Sequence, residues 1–297
     1  MRRDADIKRF GAFEHENSDA MQAGGWHMDQ GTREHLSRTP ARGHNVGMPI
    51  IQVTPNGPFG KDVHSAMPVS LPELLADLRG CFLAGARGVH LHVRDDAGRE
   101  TLQPGEVNRT VDAVRSLAGD CGVPVEIGLT TGEWIEPDLD KRTRQIRRWE
   151  GVDCATVNLS EDGFTDVMNA MLEIGVGIDV GLWDLSEVRA FEESGLIDQV
   201  MRISIELDPG EPYFPEGRPA EVAATVNDAL DAIGSRCPRL THGMGEWTWP
   251  LVEDAFRRRH DTRVGFEDST LLPDGTIAAS NTDLVRAAVE LQRTIQT

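Results

Sequence analysis

Lysine is nearly absent from this chain of 297 residues, at positions 8, 61 and 141 only. None of the three lies in an apolar run that reads as a strand, which excludes the strand-borne lysine of a Schiff-base aldolase. Aromatic residues are sparse as well, with one Tyr and nine Phe. The core must therefore be built from Val, Ile, Leu and Ala, the residues of parallel strands covered by helices. Positive charge is outweighed to a formal net of −19. Nucleic acid and anionic membrane both demand a basic footprint, so neither is an expected partner. No apolar run approaches the ~20 residues of a membrane span, and no charged-then-apolar leader opens the chain. A soluble, cytoplasmic protein is expected. The four cysteines, at 81, 121, 154 and 237, are scattered without a C-x-x-C pair. They read as small buried side chains, not as a disulfide frame or zinc knuckle.

Residues 1–48 mix Asp, Arg, His, Gly and Gln without helical or strand periodicity, and Gly24-Gly25 breaks any local pattern. They are expected to be a poorly ordered extension, with no metal role for His15, His27, His35 or His44. From residue 49 onward the pattern changes to short apolar runs alternating with helical stretches. Eight strands are predicted, at 50–54, 88–94, 123–130, 152–159, 176–182, 199–207, 239–243 and 262–266. Helices fit between them: one opening near Pro72, then 104–117, 139–149, 164–174, 184–193, 218–233, 249–259 and a closing one at 281–295. Eight βα repeats with no strand-only or helix-only block indicate a (β/α)8 TIM barrel over 49–297, ahead of an open doubly wound sheet.

A TIM barrel builds its site at the carboxyl ends of its strands. That rule selects His90 and His92, residues 130–132, 156–160, 242–246 and 263–268. In Gly88-Val89-His90-Leu91-His92-Val93-Arg94-Asp95, strand alternation sends both histidines to one face. Two neutral imidazoles there are half of a divalent metal site, although paired hydrogen-bonded core histidines look the same in sequence. In Thr262-Arg263-Val264-Gly265-Phe266-Glu267-Asp268-Ser269, alternation places Arg263, Gly265 and Glu267 on one face. The eighth strand closes against the first, so Glu267 lies across a narrow mouth from the histidines and is able to complete a His90–His92–Glu267 zinc site. The plainer reading of Glu267-Asp268 is an acidic helix cap.

Both ends of this mouth, His90-Leu91-His92-Val93-Arg94-Asp95 and Arg263-Val264-Gly265-Phe266-Glu267-Asp268, together with Ser280-Asn281-Thr282-Asp283-Leu284-Val285, resemble the β-keto acid cleavage enzymes. The resemblance implies a zinc-dependent TIM barrel that converts a β-keto acid and acetyl-CoA into acetoacetate and a new acyl-CoA. It implies His90, His92 and Glu267 as zinc ligands, and Asp268 as general base paired with Arg263. Family positions holding the keto acid fall on Leu129-Thr130-Thr131-Gly132 and Ala155-Thr156-Val157-Asn158. Thr130, Thr131, Gly132, Thr156 and Asn158 are therefore the expected substrate contacts. A homo-oligomer, a tetramer in the family, is also implied. The residue types suit the chemistry, since a Lewis-acid metal beside a carboxylate favours loss of a proton α to a carbonyl. No redox or phosphate cofactor is required.

Two departures bear on the substrate. Where a family member acting on an aminated keto acid carries a glutamate after the first strand, this chain has Thr54-Pro55-Asn56-Gly57-Pro58, so an amino-bearing substrate is not expected. A family Gly-x-Gly-Arg pattern is Gly243-Met244-Gly245-Glu246 here, beside Trp247 and Trp249. This speaks against an anionic substrate tail; Glu246 either reads a polar or cationic tail or caps the next helix. Glu126, Asp179 and Arg202 project inward and are expected to form a buried structural ionic layer. His242 either binds substrate or coenzyme A or is a hydrogen-bonded histidine beside the mouth. The competing functions are a metal-dependent hydrolase of the amidohydrolase type and a non-catalytic metal-bound barrel. The hydrolase expects further histidines on strands five and six, which have none.

Overall fold

The computed structural model describes residues 48–210 and 217–296. Apart from Met48, the expected extension at 1–48 lies outside the described residues, as do its four histidines. Among the described residues, eight strands alternate with eight helices. The strands are β1 (Ile51–Val53), β2 (Gly88–Leu91), β3 (Glu126–Thr130), β4 (Cys154–Asn158), β5 (Gly177–Leu182), β6 (Arg202–Leu207), β7 (Arg239–Gly243) and β8 (Thr262–Val264). The helices are α1 (Leu71–Ala84), α2 (Pro104–Cys121), α3 (Leu139–Ile146), α4 (Phe164–Ile174), α5 (Glu187–Ser194), α6 (Pro219–Ala232), α7 (Thr248–Arg258) and α8 (Asn281–Gln296).

Every strand pairing is parallel, in the order β7-β6-β5-β4-β3-β2-β1-β8. The seam between β7 and β8 is closed more lightly. Leu240 and Asp261 form a single parallel bridge, Thr241 N donates to Asp261 O at 2.9 Å, and the Thr262 hydroxyl donates to Thr241 O at 2.8 Å. The result is the expected (β/α)8 barrel. Its apolar core lies between strands and helices, where Val89, Leu91, Ile127, Ile178, Ile203 and Val264 meet Leu78, Val111, Met168, Val226 and Leu284.

Local chemistry explains the boundaries. Pro72 sits in the first turn of α1, and Glu73 reaches back to Ser70 N in a capping box. Strand β3 starts at Glu126 and not at 123, because Pro124 has no N–H to give a ladder. Helix α5 starts three residues later than expected, since the Glu187 carboxylate accepts from the backbone N–H groups of Trp183 and Asp184 and holds them in a turn. Strand β8 stops at Val264, two residues short, and a turn follows in which Asp268 N and Ser269 N both donate to Gly265 O.

Inside the barrel, below the mouth, Arg202 donates to Glu126 at 2.8 Å and through Nε to Asp179 at 3.2 Å. This is the expected ionic layer. No described helix is long and apolar enough to cross a membrane.

Candidate active site at the barrel mouth

His90 is inward on β2 and His92 follows just past its end, so alternation carries both rings to one side, with centroids 5.3 Å apart. The turn after β8 brings Glu267 opposite them. Glu267 Oε1 lies 3.9 Å from His90 Nε2 and 3.6 Å from His92 Nε2, and all three side chains are buried.

That turn corrects the strand-based reading of residues 265–268. A continued strand would have sent Asp268 to the face opposite Glu267, whereas the turn puts both on Arg263. Arg263 Nη2 donates to Glu267 Oε1 at 3.0 Å and to Asp268 Oδ1 at 2.9 Å, while Nε donates to Asp268 Oδ1 at 3.1 Å. The helix-cap reading fails too, because the next helix, α8, begins only at Asn281. Thr54 at the end of β1 grips the turn twice: its carbonyl accepts from Glu267 N at 3.2 Å and its hydroxyl donates to Asp268 Oδ2 at 2.7 Å. Gly265 is pressed so closely on this residue that a Cβ there would sit 2.0 Å from the Thr54 carbonyl oxygen. Asn281 completes the hold by accepting from Phe266 N and donating to Pro55 O.

Three carboxylates converge here on one guanidinium, because Glu206 from β6 also faces Arg263 at 3.9 Å. Burial would raise all three carboxyls. Arg263 and the neighbouring histidines together outweigh it, so Glu206, Glu267 and Asp268 are all held below their ordinary values. The cluster thus carries three negative charges against one fixed positive charge. His242 sits behind it, fully buried. Its Nδ1 accepts from Arg263 Nε at 3.1 Å, and its Nε2 is 3.6 Å from Glu206. His242 is thus a buried, hydrogen-bonded histidine beside the mouth, with Nε2 making no hydrogen bond. Burial and Arg263 oppose a charge on its ring, but Asp268 and Glu206 favour one more strongly, and its pKa is displaced upward.

The donor set suits a divalent cation. A tetrahedral ion with ligands at about 2.0–2.1 Å separates its ligand atoms by roughly 3.3 Å, close to the two distances from Glu267. His90 is pushed down to about 3 by burial and is neutral, as a ligand must be. Burial opposes a charge on His92, but Glu267 and Glu100 outweigh it and hold its pKa near 9. A cation would displace that proton. Glu267 Oε2 is buried without a hydrogen-bond partner, and a dication offsets the two excess negative charges.

The predicted substrate residues divide. Thr130 and Thr156 face the mouth, and the Thr156 hydroxyl is 3.5 Å from His90 Nδ1. Thr131 instead spends its hydroxyl on Thr156 O at 2.7 Å. Gly132 is covered by the indole of Trp134. Both ends of the Asn158 amide are engaged, Nδ2 donating to Glu161 at 2.8 Å and Oδ1 accepting from Trp183 Nε1 at 3.2 Å. Asn56, just past β1, is buried and binds both backbone groups of His92. Glu246 is exposed, and α7 opens without a side-chain cap, which removes the capping role considered for it.

Sequence reasoning missed Glu206, Glu100 and Glu161. Glu206 was legible, because Arg202, Ser204 and Glu206 alternate on the same face as the ionic layer. Glu100 reaches His92 only through the tight turn at Asp95–Gly98, whose Asp-Asp-Ala-Gly sequence signals it. Glu161 is pushed up to about 7 by burial, despite bonds from Asn158, Arg142 and Glu133 N.

Over 245 residues the chain is 27% identical to a 3-keto-5-aminohexanoate cleavage enzyme of Acetoanaerobium sticklandii, covering 78% of this chain and 87% of that protein. It is 24% identical over 253 residues to a 3-oxoadipate:acetyl-CoA acetyltransferase of Cupriavidus necator, with 81% and 86% covered. Among solved structures, a rubisco-like protein from Burkholderia fungorum superposes with a TM-score of 0.58 at 17% identity, covering 88% of this chain and 64% of that one. One from Rhodopseudomonas palustris gives 0.53 at 12%, with 85% and 66% covered; at such identities only the barrel fold is shared. The family described as beta-keto acid cleavage enzyme matches residues 49–297, from the edge of β1 to the end of the chain. With the sequence, the barrel and its mouth in agreement, the chain belongs to the beta-keto acid cleavage enzyme family.

Proposed function

We propose that the protein is a zinc-dependent enzyme that exchanges acyl groups between a β-keto acid and acetyl-CoA, giving acetoacetate and a new acyl-CoA. The observation that carries this reading is Arg263, which holds Glu267 and Asp268 side by side so that a carboxylate base stands next to the His90–His92–Glu267 donor set. A zinc ion held by those three residues would polarise the keto oxygen and make the neighbouring C2 proton more acidic.

Asp268 takes that proton. Its Oδ1 is tied by two guanidinium bonds, whereas Oδ2 meets only the rotatable Thr54 hydroxyl, so Oδ2 is the receiving atom. Arg263 keeps the carboxylate ionised and aimed, at some cost in basicity. The enolate carbon then forms a bond to the acetyl carbonyl and the coenzyme A thiolate leaves. The thiolate adds to the original keto carbon, and the bond from that carbon to C2 breaks. Asp268 returns its proton to C2, which completes acetoacetate. Thr130 and Thr156 supply hydroxyls for the keto acid, while Thr131, Gly132 and Asn158 shape the wall behind them. The exposed Glu246 supports a substrate tail without negative charge.

Deuterium exchange at C2 of a β-keto acid, followed without acetyl-CoA, tests the assignment. The zinc-loaded enzyme should exchange, and Asp268→Asn should not. Exchange at an unchanged rate in the variant would show that another group is the base. Hydrolysis of an amide or ester with no need for acetyl-CoA would favour the hydrolase reading. Screening a panel of β-keto acids with acetyl-CoA then identifies the substrate.

A further inference from the structure

We propose that Glu100 and Trp134 are positioning residues for His92, holding its imidazole in the tautomer and orientation that present Nε2 to Glu267. The inference rests on the cation site proposed above and names the residues of this chain that set its affinity. Beyond β2 the chain turns at Asp95–Gly98 and comes back, Arg94 bridging to Glu100 in antiparallel fashion. Glu100 Oε1 thereby lies 2.6 Å from His92 Nδ1. With Nδ1–H donated to that carboxylate, the lone pair of a neutral ring is at Nε2, 3.6 Å from Glu267 Oε1. Trp134, from the loop after β3, stacks on the same imidazole with centroids 6.2 Å apart and planes inclined by 24°. Its Nε1 donates to the same carboxylate at 3.3 Å. One carboxylate thus gathers both rings, and the indole limits rotation of the imidazole.

Gly132 is what lets the indole lie there. A Cβ at 132 would sit 2.3–2.4 Å from three indole ring carbons. Asn56 fixes the His92 backbone from the other side. His90 has lighter support, its Nδ1 facing only the Thr156 hydroxyl at 3.5 Å. Glu100 also walls a cavity of about 390 Å³ together with Arg99, Glu136 and Gln145. Truncating it therefore enlarges a pocket already present and opens no void in the packed core.

The test is zinc binding by the metal-free full chain, titrated against a chelator, with the cobalt(II) absorption spectrum as a second readout. Partners that orient a ligand histidine typically contribute 10- to 100-fold to metal affinity. Glu100→Ala should lose about that much and alter the cobalt spectrum. Glu100→Gln keeps an acceptor for Nδ1–H and should lose only several-fold. Trp134→Phe keeps the stack without the N–H and should lose least. Gly132→Ala should displace the indole and follow Trp134→Ala. Zinc should also shift a component of the tryptophan emission that is absent in Trp134→Phe. A folded Glu100→Ala protein with wild-type zinc affinity and cobalt spectrum overturns the proposal while leaving the cation site standing. If that variant does not fold, wild-type affinity in Glu100→Gln overturns it instead. A wild-type protein that binds no zinc overturns the cation site and this inference together.

Discussion

The barrel holds two buried ionic layers built from the same residue types, and they deal with their charge differently. In the lower one, Arg202 is shared by Glu126 and Asp179, and burial pushes the Asp179 carboxyl up despite the guanidinium beside it. In that layer burial prevails over the guanidinium at one of the two acids. In the upper one, Arg263 and the histidines His90, His92 and His242 together hold Glu206, Glu267 and Asp268 below their ordinary values. That layer keeps its negative charge for a cation to offset. Proximity of acids to an arginine is common to both; only the imidazoles and the uncompensated charge mark the second as a place for chemistry.

The contrast is broken most severely by Asp268→Asn. It should keep zinc and bind the keto acid yet lose about 10²- to 10⁴-fold in turnover, mainly in kcat, because the amide takes no proton. Steady-state kinetics on the zinc-loaded variant checks this. An equally conservative change below, Asp179→Asn, should leave kcat close to the wild-type value.

The two arginines sharpen the comparison through stability. Arg202→Met strands the buried carboxylates and should cost about 3–5 kcal/mol by denaturant unfolding, with or without zinc. Arg263→Met should also destabilise the protein, but added zinc should recover part of the loss, since a dication supplies the missing positive charge. Equal responses of both variants to zinc would erase the distinction between the layers. Replacing His90 or Glu267 with Ala should abolish stoichiometric zinc while leaving the melting transition cooperative, because the site lies at the loop face.

The smallest effect concerns a buried acid in neither layer. Burial raises Asp77 to about 6 although Asn281 Nδ2 donates to it at 2.9 Å. The folded state therefore holds a proton that the unfolded chain releases nearer 4. The associated stability is complete below about pH 4 and is lost as pH rises through about 6. Asp77→Asn should flatten that slope and add roughly 1–2 kcal/mol above pH 6, a value discounted for partial exposure. Urea titrations at pH 4, 5, 6 and 7 give the measurement.

Much of the site was legible where alternation holds. His90 and His92 share a face because β2 is regular up to their position, and Glu126, Asp179 and Arg202 could be placed for the same reason. Legibility ended where strands gave way to turns. The convergence of Glu267 and Asp268 on Arg263 depends on a turn that starts two residues before the predicted strand end. Glu100 becomes a neighbour of His92 only through a hairpin-like return. Asn158 and Thr131 have suitable side chains, but their hydrogen bonds are spent on Glu161, Trp183 and Thr156 O, which no spacing rule reveals. Glu206 was available from the period of two along β6 and was overlooked.

The bare contact of Gly265 with the Thr54 carbonyl links the assembly of the site to the order of folding. The turn bearing Glu267 and Asp268 takes its shape only when β8 has docked on β1, and those strands lie at opposite ends of the barrel sequence. An incomplete barrel, such as one still emerging during synthesis, owns both histidines but not their partner. Zinc held by the full set would thus recognise only chains that have finished closing, and would add its binding energy to the most non-local strand pairing in the barrel.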